Sequence, residues 1–91
     1  MKQNTNESQT AKLIELGFEK PTMKNIPTSD GEINEEWYSI GELIEILNNQ
    51  GIEIKDYGYW IVDHEWHTST KDELIDALYD TIINLKEKGK L

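Results

Sequence analysis

Few residues in this chain have the types and spacing to do chemistry together. His64, Glu65 and His67, with Asp63 before them, are the one place where metal-type ligands crowd together in sequence. Imidazole and carboxylate are the ligands left to a zinc ion when thiolate is absent, and the chain has no cysteine. Extended backbone sends successive side chains to opposite faces. A strand through this run would therefore put Asp63, Glu65 and His67 on one side and His64 with Trp66 on the other. The two imidazoles would converge only across a tight turn. The H-E-x-x-H arrangement, which stacks two histidines on one helix face, is not present. The favoured reading is of polar residues flanking a hairpin and shielding Trp66, with a metal-binding domain at His64 and His67 as the lesser alternative. Neither histidine has a nucleophile or an oxyanion donor beside it, so no catalytic, cofactor-binding or metal residue is assigned and no enzyme activity is expected. Ser39 is read as a helix cap and not as a nucleophile, because Glu42 follows it at capping-box spacing.

A second pattern is electrostatic. Asp72, Asp76 and Asp80 recur at i, i+4 and i+8, with Glu73 beside them. Like charges at that spacing cost a helix about 0.2–0.5 kcal/mol per pair. The ordinary explanation is a solvated face. The sharper one joins this ridge to Glu35, Glu36, Glu42, Glu45 and Glu53 as an electronegative face for a basic partner, or for imitating a phosphate backbone. Among three tryptophans and four tyrosines, most rings are expected to fill the core of so small a domain. Tyr57, at a hairpin tip, has no interior to enter and suits a protein-binding edge. The partner-binding candidates are therefore Glu42, Glu45, Tyr57, Asp72, Asp76 and Asp80.

These residues need elements to position them. From near Asn6, Ala11, Leu13, Ile14 and Leu16 have helical spacing, and Gly17 stands where a C′ glycine ends a helix. Residues 18–36 carry Pro21, Pro27 and Asp30-Gly31 and read as a long loop, with Phe18, Met23, Ile26 and Ile33 as points of attachment to the core. Ser39-Ile40-Gly41-Glu42 opens a second helix whose inward stripe is Leu43, Ile44 and Leu47, with Tyr38 or Trp37 as a staple. Asn48-Asn49-Gln50-Gly51 is expected to end it with a glycine cap.

Ile52-Glu53-Ile54-Lys55 and Tyr59-Trp60-Ile61-Val62 form a β-hairpin around Asp56-Tyr57-Gly58. Trp66-His67-Thr68 is a possible short third strand. Thr70-Lys71-Asp72-Glu73 has capping-box spacing, and Leu74, Ile75, Ala77, Leu78, Ile82 and Leu85 give a third helix over about residues 71–87. The fold class is α+β: helix, long loop, helix, hairpin, helix, in one domain of residues 1–91 with residues 1–5 and 89–91 as frayed ends. The expected core is Leu13, Ile14, Leu16, Leu43, Ile44, Leu47, Ile54, Trp60, Val62, Leu74, Leu78 and Ile82.

Charge and length exclude several classes. The 91 residues allow one hydrophobic core. Eighteen acids oppose nine lysines, and there is no arginine, the usual bidentate reader of phosphate and guanine. Direct nucleic-acid binding is disfavoured by sign and by residue type. Residues 1–30, 31–67 and 68–91 carry net charges of 0, −8 and −1, so the acidity belongs to the middle. No apolar run approaches a membrane span and the start lacks a signal-type apolar region, so a cytoplasmic protein with no membrane partner is expected.

Across Leu13-Ile14-Glu15-Leu16-Gly17-Phe18-Glu19-Lys20-Pro21, Tyr38-Ser39-Ile40-Gly41-Glu42-Leu43-Ile44-Glu45-Ile46-Leu47 and Leu74-Ile75-Asp76-Ala77-Leu78, the chain resembles small uncharacterised proteins encoded in bacterial prophage and mobile-element regions. The resemblance brings no activity, cofactor or functional residue. It implies a phage-type accessory or host-interaction protein. Together these readings point to a non-catalytic acidic interaction module for a protein partner, with a homo-oligomer, such as a dimer, joined through the hairpin edge as the alternative.

Overall fold

In the computed structural model, which describes residues 1–48 and 50–91, the elements run α1 (Glu7–Glu15), β1 (Met23–Thr28), β2 (Gly31–Glu36), α2 (Ile40–Ile46), β3 (Ile52–Asp56), β4 (Trp60–His64), β5 (His67–Lys71) and α3 (Leu74–Glu87). The class is α+β as expected. The strands form two antiparallel sheets, β1-β2 and β3-β4-β5.

Local side-chain chemistry fixes the helix ends. Asn6 and Gln9 form a reciprocal capping box at the start of α1, and Ser39 with Glu42 forms the expected one on α2. Gly17 takes φ +94. There Phe18 N donates to Leu13 O and Gly17 N to Ile14 O, so the motif turns the chain out of α1 while keeping Phe18 against the core. At the end of α3, Lys90 N donates to Leu85 O and Gly89 N to Lys86 O in the same way.

Two expected caps do not form. Gly51 is not in the left-handed region and α2 ends at Ile46; of the residues expected to end it, Asn49 lies outside the described residues. Thr70 and Lys71 belong to β5, opposite Ile61 and Trp60, so α3 starts at Leu74 and its N-cap, Glu73, makes no side-chain cap bond. A cap contributes about 1 kcal/mol, and the ladder pairs that Thr70 and Lys71 make with Ile61 and Trp60 offset its loss. Glu73 instead accepts from Lys2 N at 2.7 Å.

Helix α3 buries Leu74, Ile75, Ala77, Leu78, Thr81, Ile82 and Leu85, a continuous stripe at helical spacing. It packs on β4, β5 and α2. With Leu13, Tyr38, Leu43, Leu47 and Val62 these side chains make the core. Tyr38, Ile75, Ala77 and Leu85 join the core beyond the expected residues, while of those expected Ile44 and Ile54 are each 38% exposed and Leu16 is half-buried outside the cluster. Ile54 pairs with Val62 and so faces the covered side. Because α3 sits over β4 and β5, β3 lies at the margin. Ile14 and Trp60 pack on the core from its edge, half-buried.

The segment expected to be a long loop is instead a hairpin. Thr28 and Gly31 flank a two-residue turn, and Ile26 pairs with Ile33. Every residue of β2 is exposed, and in β1 only Lys24 is partly covered. The strands contact chiefly each other, so the hairpin is an arm standing off the core. Its root is fixed by Lys24, whose Nζ donates to Trp37 O and Glu42 Oε1, both at 2.6 Å, and sits 4.5 Å from the Trp37 ring centre.

The amino-terminal residues, expected to fray, are held. Asn4 bridges to Ser39, Thr5 is 1% exposed, and Lys2 Nζ lies 2.9 Å from Asp76 Oδ1. At the other end, Leu91 packs on the core and Lys90 O accepts from Gln50 Nε2.

Candidate functional site

The two histidines meet. Glu65 and Trp66 form a two-residue turn, which makes His64 and His67 direct cross-strand partners. Paired residues share a sheet face, so the convergence that a single strand forbids arises from the turn. Each ring is nevertheless engaged. His64 is 8% exposed, and its Nδ1 accepts from Trp66 N at 3.0 Å. Its proton therefore sits on Nε2, which donates to Gln50 Oε1 at 3.0 Å. His67 Nε2 lies 3.0 Å from Asp80 Oδ2. His64 thus closes the β4–β5 turn, and His67 ties β5 to α3. Among the described residues no group of three or more His, Cys, Asp or Glu is arranged to hold a metal ion.

Ser69 brings a hydroxyl to the same carboxylate, but not as a nucleophile. It is 2% exposed, and although close enough to help hold the Asp80 charge, its Oγ completes no hydrogen bond of ordinary geometry. Ser69 thus carries a buried, unpartnered hydroxyl among the described residues. His67 and Ser69 both address Asp80, so the imidazole is not placed between serine and acid as a general base would be.

The ridge on α3 is internally engaged. Asp76 Oδ1 accepts from Lys2 Nζ at 2.9 Å and Gln9 Nε2 at 2.8 Å. Asp80 faces His67 and accepts from Asn84 Nδ2 at 3.1 Å. Asp72 precedes the helix and is exposed. On α2, Glu42 accepts from Lys24 Nζ, Ser39 N and Thr22 N. Glu45 is exposed on α2, and Tyr57 is 63% exposed in the β3–β4 turn. Three of the six partner-binding candidates, Glu42, Asp76 and Asp80, are thus joints of the fold. Glu45 on α2, Tyr57 in the β3–β4 turn and Asp72 between β5 and α3 are separate surface groups.

The joints predict acid sensitivity. In Glu42, Asp76 and Asp80 burial pushes the carboxyl up, but the donors outweigh it and hold each group below its ordinary range. The donors are Lys24, Ser39 and Thr22 for Glu42, Gln9 and Lys2 for Asp76, and chiefly His67 for Asp80. A carboxyl lowered in the folded state contributes stability that is complete above its unfolded value, about 4, and is lost as pH falls through the folded value. Urea midpoints are expected to fall steadily below about pH 4, with a shallower fall in Asp76→Asn and Asp80→Asn. A parent midpoint that stayed level down to about pH 2 would contradict this.

The arm presents a further set of exposed carboxylates. Asp30, Glu32, Glu35 and Glu36 are exposed on it, and its one lysine is drawn into the root. Beside the root, Asn4, Thr5, Glu7, Glu35, Glu36 and Trp37 line an open cleft. Sequence reasoning counted Glu35 and Glu36 in the acidic face but missed the arm that presents them. The available signal was Ile26 and Ile33, placed symmetrically about Ser29-Asp30. Among the described residues no helix is long and apolar enough to cross a membrane. Comparison with known protein families, with curated proteins and with solved structures gives no match to this chain.

Proposed function

We propose that this chain is a non-catalytic interaction module, an accessory or host-interaction protein of phage type, that engages a basic protein partner through the β1–β2 arm. The observation that carries the reading is the arm's composition in place: four exposed carboxylates against one lysine whose ammonium is already bound by Glu42 and Trp37. A protruding, uniformly negative surface steers a positive partner and orients it on arrival. The cleft at the root adds Glu7 and an indole wall, a setting suited to a lysine or arginine side chain.

The test is affinity capture at low and at high salt, with the parent and a variant carrying Glu32→Lys, Glu35→Lys and Glu36→Lys. A basic protein held at low salt, released at high salt and not held by the variant supports the reading. Equal capture by the variant removes the arm from it. Neutralising Asp76 or Asp80 would test folding instead.

A second reading, self-association through the larger sheet, has its own observation. Strand β4 is paired on both sides, but β3 is an open edge, and Ile54, Tyr57 and Tyr59 are exposed on it and in its turn. A salt-insensitive dimer in sedimentation, abolished by Ile54→Lys, would favour it over the arm.

A further inference from the structure

The arm has two edges, and they are not equivalent. Thr28 and Gly31 flank the two-residue turn, which makes them a hydrogen-bonded pair. Alternation then turns the backbone groups of Ile26, Ile33, Lys24 and Glu35 inward, and those of Pro27, Glu32, Asn25, Asn34, Met23 and Glu36 outward. On the β1 edge the outward row is broken by Pro27, which has no N–H to offer. On the β2 edge the outward row of Glu32, Asn34 and Glu36 is complete. All three residues are exposed, and no other described strand pairs with them.

We infer that the β2 edge, Gly31–Glu36, accepts an extended segment of the partner as a third strand, and that this segment carries lysine or arginine at alternate positions. The inference rests on the reading of the chain as an interaction module and names how and with what it binds. Glu32 and Glu36 lie on one face of the arm and Glu35 on the other, as their pairing with Pro27, Met23 and Lys24 requires. An added strand with basic residues at period two sets a positive charge beside Glu32 and Glu36, while its backbone takes the open donors and acceptors. A second copy of this chain is rejected by the same charges. Antiparallel self-pairing centred on Asn34 puts Glu32 opposite Glu36 twice, and directly opposed like charges destabilise a ladder. One edge is thus closed by a proline, and the other repels its own kind while attracting the opposite sign.

The experiment titrates the full isotope-labelled chain at low salt with a synthetic peptide of about ten residues alternating lysine with valine or threonine, and with the same peptide N-methylated at every second amide. Expected are binding by the first peptide, slowed hydrogen exchange at the amides of Glu32, Asn34 and Glu36, and binding weaker by about tenfold or more for the N-methylated peptide. Asn34→Pro removes one outward N–H and leaves the bonds to β1 in place. It should weaken binding by about tenfold as well, with contact between Ile26 and Ile33 in nuclear Overhauser spectra showing that the arm persists. Equal binding of both peptides, unaffected by Asn34→Pro but lost on Glu32→Lys with Glu36→Lys, overturns strand addition and leaves the electrostatic module standing. No binding of either peptide at millimolar concentration also overturns it, and salt-dependent capture then decides the module by itself.

Discussion

Leu78→Ala will lower the unfolding free energy by about 2–5 kcal/mol, the range for emptying a large aliphatic site in a closed core. Leu78 is 0% exposed and lies mid-helix between Leu74 and Ile82, on the face of α3 that meets β4, β5 and α2. The ends of a helix can slide to fill a cavity, but three packed elements around its middle resist collapse, which places this site toward the upper part of the range. A small domain has about 5–15 kcal/mol in total, so a large part of its stability goes with one side chain. Urea denaturation followed by far-ultraviolet circular dichroism measures the change. Ile44→Ala, on the exposed flank of α2, should shift stability far less, by about 1 kcal/mol at most. Equal losses at the two sites would mean that the inward face of α3 has been misidentified.

Thr5→Val will cost about 1–3 kcal/mol although the side chain keeps its shape, because a buried donor loses its acceptor. Tyr38 N donates to Thr5 Oγ1 at 3.0 Å, and Thr10 Oγ1 donates to Asn6 O at 2.8 Å. Thr10 has spent its single hydrogen there, so Thr5 must be the donor in the 2.7 Å contact between the two hydroxyls. The result is a chain of donors running Tyr38, Thr5, Thr10, Asn6, with each hydroxyl both giving and accepting. Valine can do neither, and Tyr38 N–H and Thr10 Oγ1 both lose a partner in a site closed to water. Thr5→Ser restores the hydroxyl and should recover most of the loss. If the valine variant proved as stable as the parent, the buried hydroxyl would not carry this tie.

Thr5 also shows where sequence reading stops. The capping box at Ser39 and the glycine ending α1 involve partners within a few residues of one another. The long apolar stripe of α3 and the alternation of the β3–β4 hairpin were readable for the same reason. The tie from Thr5 to Tyr38 spans 33 residues and has no periodicity to announce it. Lys2, Gln9 and His67 likewise reach Asp76 and Asp80 from distant segments. A row of aspartates that reads as a free surface in one helix is, in the folded chain, a set of fastenings.

The arm escaped for a different reason. Strands are recognised by the burial of one face, and this one buries neither, so its sequence alternates nothing and contains a proline that an outward-facing position tolerates. The facing of His64 and His67 depended on a single detail, whether the bend falls at Glu65-Trp66 or one residue earlier. A shift of one residue in an antiparallel pair reverses which side chains are neighbours.

The three tryptophans stand in three electrically different places, and this gives the molecule separable optical signals. Trp37 lies half-buried at the root of the carboxylate-bearing arm, where the Lys24 ammonium over its ring is neutralised by Glu42, Trp60 is half-buried in the sheet, and Trp66 is 52% exposed with Lys90 Nζ 4.2 Å from its ring centre. Iodide, drawn to lysine, will extinguish the emission of Trp66 first. Caesium, drawn to carboxylates, will favour Trp37, and both will reach Trp60 last. A ligand seated on the arm shields one indole and leaves the others as they were, whereas unfolding opens all three together.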